Sequence, residues 1–294
     1  MGIKRRDFMK LAFAGGGSAY LSRPGSADAF SRQELSEERW GMLVDTPLCI
    51  GCRRCEWACK RQNNLPHGPL SDFDDKSVFE KMRRPDAYSY TVVNRFPDPD
   101  DPDNPVYVKV QCMHCENAAC QSACLVGAFK KSKQGAVRYD AWKCMGCRYC
   151  MVACPFQIPA YEYENALTPV VSKCTFCYEL VMKEGKQPAC AAICPKEVMT
   201  FGTRSQILEV ARKKIERKPK RYLPHIYGEH EVGGGAWVYL TSVPFDKLGL
   251  LRLGDTPVNK LNETIQHSIF NHFIPPIALF GLLGALMWTF KDRD

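Results

Sequence analysis

Sixteen cysteines, arranged in four groups of four, constrain this 294-residue chain more than any other feature of its sequence. The clearest group is the run at 144–155, CMGCRYCMVACP, in which two residues separate each of the first three cysteines and three residues precede the fourth. A C-x-x-C-x-x-C loop wraps around one [4Fe–4S] cluster, whereas the fourth cysteine faces away and binds a different cluster. Pro155 fixes its own φ and donates no hydrogen bond, which helps to hold that turn. The spacing therefore predicts iron–sulfur clusters.

The other twelve cysteines fall into comparable motifs. The run at 49–59, CIGCRRCEWAC, has the same spacing, and the motifs at 112–124 and 174–194 each combine a C-x-x-C pair with a later C-x-x-x-C pair. No cysteine is left over, so four complete motifs predict four [4Fe–4S] clusters. The predicted iron ligands are Cys49, Cys52, Cys55, Cys59, Cys112, Cys115, Cys120, Cys124, Cys144, Cys147, Cys150, Cys154, Cys174, Cys177, Cys190 and Cys194.

Two other kinds of cysteine-rich protein compete with this interpretation. Pairs of C-x-x-C units also form tetrahedral Cys₄ zinc sites, but zinc sites do not use the C-x-x-C-x-x-C-x-x-x-C run. A disulfide scaffold would suit an exported protein. Such scaffolds are typically short, however, and this chain is long enough to bury an ordinary core.

Charge and composition exclude several other functions. The net charge of +8 includes an excess of three positive charges in residues 1–29, which leaves the remainder only mildly basic. Without a basic stripe interleaved with aromatic residues, the sequence does not favour nucleic-acid binding. Six scattered histidines, with no paired acid and base and no phosphate-binding loop, indicate no catalytic site.

The N-terminal residues 1–29 have the features of a twin-arginine signal peptide. Arg5 and Arg6 begin the segment RRDFMK, an apolar run follows at 11–21, and Ala27-Asp28-Ala29 fits the A-x-A cleavage pattern. Clusters are assembled in the cytosol, so a cluster protein bound for the periplasm must cross the membrane already folded. The twin-arginine route carries folded proteins, and the sequence thus predicts a periplasmic location.

The remaining pattern predicts an α+β fold in which two ferredoxin-like modules each hold a pair of clusters. These modules occupy 30–204, with an insertion at 60–111 whose runs at 88–95 and 106–111 are rich in β-forming residues. A C-terminal extension at 205–268 begins with a helix at 205–217, for which Ser205 is the expected N-cap. The apolar segment at 269–290 is expected to be a transmembrane anchor, since basic residues follow it directly.

With these residues in view, the chain resembles the four-cluster iron–sulfur electron-transfer subunits of respiratory complexes of the dimethyl sulfoxide reductase and formate dehydrogenase type. Within this group it is most similar to the HybA-like periplasmic subunits of hydrogenase-2. The likeness includes the run at 146–155, the segments PHIYGE at 224–229 and GGG at 233–235, and residues 262–267. One departure is Leu125, where the family commonly has proline after the cysteine.

The resemblance implies a crossed pattern of ligation, in which the fourth cysteine of each motif serves the cluster of another motif. The four implied sites are numbered 1 to 4. Site 1 is Cys49, Cys52, Cys55 and Cys194; site 2 is Cys59, Cys174, Cys177 and Cys190; site 3 is Cys112, Cys115, Cys120 and Cys154; site 4 is Cys124, Cys144, Cys147 and Cys150.

The resemblance also implies a function without catalysis. The chain is expected to carry electrons between the catalytic subunits of a periplasmic nickel–iron hydrogenase and a quinone-reactive integral membrane subunit. An alternative is the same role in a molybdenum oxidoreductase, such as a formate dehydrogenase or a sulfur-compound reductase. A cysteine-rich zinc structural protein is the alternative from another class.

Overall fold

The computed structural model of the protein describes residues 38–99, 101, 103–164, 170–271 and 274–290. The predicted leader at 1–29 lies outside the described residues. Of the described residues, those from 38 to 260 form one compact unit, and those from 261 to 290 belong to a second. The helices are α1 Arg54–Gln62, α2 Ala119–Ser122, α3 Tyr149–Ala153, α4 Tyr178–Glu184, α5 Ala189–Ala192, α6 Arg204–Arg217, α7 Lys260–Asn271 and α8 Ile274–Phe290. The strands are β1 Trp40–Asp45, β2 Thr91–Phe96, β3 Val106–Gln111, β4 Phe129–Lys131, β5 Val137–Tyr139, β6 Ala160–Tyr161, β7 Val171–Ser172, β8 Met199–Thr203 and β9 Trp237–Leu240.

A three-stranded sheet with the order β8-β1-β9 joins distant parts of the larger unit. Strand β1 pairs antiparallel with β8, with Val44 opposite Met199, and parallel with β9, with Met42 opposite Trp237. Three further two-stranded antiparallel sheets pair β2 with β3, β4 with β5 and β6 with β7. The β2–β3 hairpin accounts for both β-rich runs of the predicted insertion.

The two faces of the three-stranded sheet bury different partners because successive side chains of a strand point to opposite sides. Leu43 of β1, with Val238 and Leu240 of β9, packs against helix α6. Met42 and Val44 instead face the core that contains most of the cysteines. The sheet therefore separates helix α6 from the cysteine-rich interior.

Four short helices bring the cysteine motifs together in two pairs. Helix α1 of the first motif packs against α5 of the fourth motif, and α2 of the second motif packs against α3 of the third motif. The second and third motifs lie between the other two in the sequence. One helix pair is thus nested within the other along the chain.

The N-cap of helix α6 lies two residues before the predicted N-cap at Ser205. Thr203 is the N-cap: its Oγ1 accepts a hydrogen bond from Gln206 N at 3.4 Å, and the Gln206 side chain accepts one from Thr203 N at 3.2 Å. This reciprocal pair is a capping box. The prediction of Ser205 was wrong because the T-x-x-Q signature two residues upstream satisfies two terminal N–H groups instead of one.

The predicted transmembrane helix at 269–290 is also wrong. Within the described residues, no helix has both the length and the apolar character needed to cross a bilayer. Helix α8 contains 17 residues, and at ~1.5 Å per residue it rises about 25 Å, less than the ~30 Å of a bilayer hydrocarbon core.

The close contact between β1 and the start of α6 gives a test of this packing. A Cβ atom added at Gly41 would lie 2.7 Å from Arg204 Cα and 3.2 Å from Ile207 Cγ1. We expect Gly41→Ala to destabilise the fold by about 1–3 kcal/mol, since overpacking forces the backbone to shift. Circular dichroism melting of the anaerobically purified protein measures the effect as a lower unfolding midpoint.

Gly254→Ala is the matched control, because a Cβ at that position meets no atom within 4 Å. An unfolding midpoint lowered equally by both substitutions would contradict the packing argument.

Candidate functional site

All sixteen cysteines lie within the described residues, and all are free thiols. Most of them are buried or half-buried, and Cys147 is the exposed one. No disulfide constrains their positions, so backbone conformation and packing place each thiol. This arrangement does not agree with a disulfide scaffold.

The first cysteine of each motif is held by the same local turn. Its Sγ lies close to the backbone N–H of the second residue after it: His114 N donates to Cys112 Sγ at 3.5 Å, Gly146 N to Cys144 Sγ at 3.4 Å and Phe176 N to Cys174 Sγ at 3.3 Å. The Gly51 N–H likewise lowers the pKa of Cys49, although burial outweighs it and raises that pKa to about 11. Four motifs with two different spacings thus share one sulfur-binding turn.

This turn requires a left-handed residue at its third position. The φ angles are +65° at Gly51, +47° at His114, +74° at Gly146 and +56° at Phe176. Glycine adopts this conformation without strain, whereas an L side chain avoids it. In the second and fourth motifs, the rings of His114 and Phe176 stack on each other at 4.9 Å between centroids. Their packing holds the strained turns in place.

The fourth cysteine of three motifs is held by a second recurring contact. Its Sγ accepts a hydrogen bond from the backbone N–H four residues later, from Ala128 to Cys124 at 3.1 Å and from Val198 to Cys194 at 3.4 Å. The corresponding N–H of Ile158 lowers the pKa of Cys154, although burial raises it by more. Cys59, at the end of α1, receives instead the Asn63 side-chain amide at 3.6 Å.

Two cavities lie among the predicted ligands, and each brings together cysteines from opposite ends of the cysteine-rich region. The four thiols of site 1 line one cavity, where Cys194 joins the three cysteines of the first loop. The four thiols of site 2 line the other cavity, where Cys59 joins the cysteines of the fourth motif. Enclosed space surrounded by four thiols fits a [4Fe–4S] cluster, which Cys₄ thiolates hold.

The thiols of sites 3 and 4 are close enough to affect one another's ionisation. Burial raises the pKa of Cys115 well above the usual value of a thiol, and nearby Cys154, Cys112 and Cys120 raise it further. In the same way, burial raises the pKa of Cys150 to about 11, with further contributions from Cys144, Cys147 and Cys124. The structure therefore brings each predicted fourth cysteine close to the loop of the other motif.

Interactions between thiols of different sites connect neighbouring sites. In addition to burial, Cys190 of site 2 raises the pKa of Cys55 of site 1. Burial and Cys112 of site 3 both raise the pKa of Cys174 of site 2. Burial and Cys150 of site 4 both raise the pKa of Cys120 of site 3. These interactions connect site 1 with site 2, site 2 with site 3, and site 3 with site 4.

Three buried lysines lie among the thiols. Lys109, Lys131 and Lys173 are each no more than 8% exposed. Burial lowers the pKa of Lys109, but thiolates of sites 1 and 2 raise it by more, so that it stands above its usual value. The cysteine spacing predicted the ligands and gave no sign of these lysines, because a lysine in a strand is normally solvent-exposed.

The zinc alternative requires four ligands around one metal atom. Among the residues that the structure describes, no three His, Cys, Asp or Glu side chains lie close enough together to hold a single metal ion. Each thiol of a cluster, in contrast, binds its own iron, so the four thiols need not converge on a point. The described cysteines do not form the compact site that zinc requires.

Comparison with known proteins agrees with this chemistry. Residues 104–204 match the family model described as a 4Fe-4S dicluster domain. The chain is 33% identical to the hydrogenase-2 operon protein HybA of Escherichia coli O157:H7, over 99% of this chain and 97% of that protein. It is 48% identical to a protein of Nitratidesulfovibrio vulgaris, over 84% of this chain and 67% of the relative.

The name of a third relative describes it as an electron-transfer subunit. The thiosulfate reductase electron transfer subunit PhsB of Salmonella typhi is 38% identical over 55% of this chain and 74% of its own length. The match to HybA extends over almost the whole of both chains, beyond the cysteine motifs. The chain belongs to the HybA-like family of iron–sulfur electron-transfer subunits, which transfer electrons within oxidoreductase complexes and are not themselves catalytic.

Proposed function

We propose that this subunit carries electrons through four [4Fe–4S] clusters, one held by the four cysteines of each site. The observation that supports this most directly is the pair of cavities lined by the complete ligand sets of sites 1 and 2. When bound, the clusters supply one-electron redox chemistry at potentials that depend on hydrogen bonding, nearby charge and solvent exposure. The chain itself fixes the thiols, donates N–H groups to them and excludes water.

The clusters would form one series in the order of sites 1, 2, 3 and 4, which the interactions between neighbouring thiols support. Sites 2 and 3 lie in the middle of this series, and five of their eight cysteines are buried: Cys59, Cys174, Cys190, Cys112 and Cys120, with Cys177, Cys115 and Cys154 less enclosed. Electrons would then enter at one end and leave at the other.

Site 4 would be one of these ends. Cys147 is exposed there, and the surrounding apolar side chains are also exposed: Trp142 by 94%, Val152 by 81% and Leu125 by 78%. Exposed apolar groups that lie together are typical of surfaces that bind another protein. A redox partner that covers this surface would bring its own centre close to the cluster of site 4.

By its likeness to HybA, the partners would be the catalytic subunits of a periplasmic nickel–iron hydrogenase and a quinone-reactive integral membrane subunit. The match to PhsB favours a second candidate, in which the same series serves a molybdenum-type sulfur-compound reductase. Both assignments use the same ligands. The identity of proteins that co-purify with the chain distinguishes them.

Cluster content gives the first test. We expect anaerobically purified protein to contain about sixteen irons and about sixteen acid-labile sulfides, since each cluster contributes four of each. Metal analysis and sulfide determination measure both. About eight irons would mean that only two sites are filled, and stoichiometric zinc with little iron would refute the proposal.

The crossed ligation gives a sharper test, which uses two cysteines four residues apart. Cys154→Ser should perturb the cluster of site 3, whereas Cys150→Ser should perturb that of site 4, because the thiols of Cys154 and Cys150 lie close to different loops. Electron paramagnetic resonance of the reduced variants resolves which signal changes. If both variants altered the same signal, the crossed assignment would be incorrect.

We also propose export to the periplasm by the twin-arginine route, for which Arg5 and Arg6 provide the support. Replacement of both arginines by lysine should leave the full-length protein in the cytoplasm, because the export machinery reads the arginine pair. Cell fractionation with immunoblotting measures the distribution. Arg23→Lys is the control, and its export should be normal; normal export of the double variant would contradict the proposal.

A further inference from the structure

The ammonium group of Lys109 lies between the ligands of two different sites. Lys109 lines the cavity of site 1 together with Cys49, Cys52, Cys55 and Cys194, and it also lines the cavity of site 2. Strand β3 places it there, in the hairpin whose Val93 and Val108 belong to the cysteine-rich core. One side chain thus contacts the space of two predicted clusters.

The surroundings of Lys109 contain no counter-charge from a carboxylate. Its Nζ donates to Thr91 Oγ1 at 2.8 Å and to Gln111 Oε1 at 3.0 Å, both neutral acceptors. It also lies 4.6 Å from the centroid of the Trp237 ring. In the described part of the chain, no Asp or Glu forms an ion pair with it, although the side chain is only 3% exposed.

An isolated buried ammonium group is costly unless a negative charge compensates it. The thiolates that would hold the clusters of sites 1 and 2 are the negative groups beside Lys109. The cation in turn makes it easier to add an electron to either cluster, since nearby charge is one of the factors that set a cluster's potential.

We propose that Lys109 is a fixed positive charge shared by sites 1 and 2, which raises the reduction potentials of both clusters relative to a neutral residue at this position. This inference rests on the proposed function. Lys109 acts by placing a positive charge beside the two clusters, and it binds no substrate. It would hold the first two clusters of the series at potentials suited to electron exchange between them.

Lys173 provides a matched comparison because it is equally buried and lies near different thiols. Its Nζ donates to the carbonyl oxygen of Cys174 at 3.1 Å and also to that of Val137. It faces site 3, where it lowers the pKa of Cys120, which burial raises to about 12. Substitution of Lys109 should therefore affect site 1, and substitution of Lys173 should affect site 3 without affecting site 1.

The experiment is a redox titration of the whole protein followed by electron paramagnetic resonance, with site 1 and site 4 signals assigned from Cys52→Ser and Cys147→Ser. Lys109→Met should lower the midpoint potentials of sites 1 and 2 by the equivalent of a tenfold change in the reduction equilibrium, ~59 mV for one electron. Lys109→Arg should keep both midpoints near those of the wild type. Lys173→Met should lower the midpoint of site 3 and leave that of site 1 unchanged.

Unchanged midpoints in Lys109→Met, or an equal shift at all four sites, would overturn the proposal. If Lys109→Met loses the clusters of sites 1 and 2, their retention in Lys109→Arg supports a requirement for charge. Their loss in both variants would show that the shape of the lysine matters and its charge does not. The iron content of the wild-type protein distinguishes these outcomes from failure of the four-cluster proposal. A wild-type content far below sixteen irons contradicts the four-cluster proposal and not the inference about Lys109.

Discussion

The structure depends on placing fifteen of its sixteen thiols in buried or half-buried positions of one compact unit. A buried thiolate is unfavourable without hydrogen bonds or a nearby cation. The chain supplies hydrogen bonds locally, through a turn in which the first cysteine of a motif receives the N–H two residues later. It supplies cations from elsewhere in the sequence, through buried lysines on β3, on β4 and just after β7.

This division between local and distant contributions explains the architecture. A single motif can shape its own loop, but in the crossed ligation that we propose, its fourth cysteine serves the cluster of another motif. Each motif therefore needs a second one packed against it, and the pairs α1 with α5 and α2 with α3 provide that contact. The β8-β1-β9 sheet then holds the outer pair closed, because β1 leads into the first motif and β8 follows the fourth.

Features encoded by nearby residues could be predicted from the sequence. The cysteine motifs and the strands of the β2–β3 hairpin follow from local spacing and from β-forming residues. The pairing of β8 with β1 could not be predicted from such local patterns. The partner of β8 is about 155 residues away in the sequence, and local composition does not indicate which distant strand completes a sheet.

Two predictions from the sequence were wrong: the N-cap at Ser205 and the transmembrane helix at 269–290. Thr203 and Ser205 are both favourable N-cap residues, and the choice between them depends on the reach of Gln206 back to Thr203 N. The segment at 269–290 was predicted to span a membrane from its apolar content and the basic residues after it. Among the described residues, however, no helix has both the length and the apolar character to cross a bilayer.

Solvent exposure is greatest at site 4. The need for a buried compensating charge is correspondingly smaller there than at the other sites. Around sites 1, 2 and 3, buried lysines supply positive charge where the core excludes water, and for Lys109 the neighbouring thiolates outweigh the effect of burial. Around site 4, residues 141–149 are largely exposed, and Cys147 itself is accessible. Water can solvate charge there, so this end of the series does not require the same internal compensation. The exposed apolar side chains of Trp142 and Val152 have no such explanation in charge. These exposed side chains fit a surface that another protein covers. An accessible cysteine surrounded by exposed apolar side chains distinguishes site 4 from the enclosed sites 2 and 3.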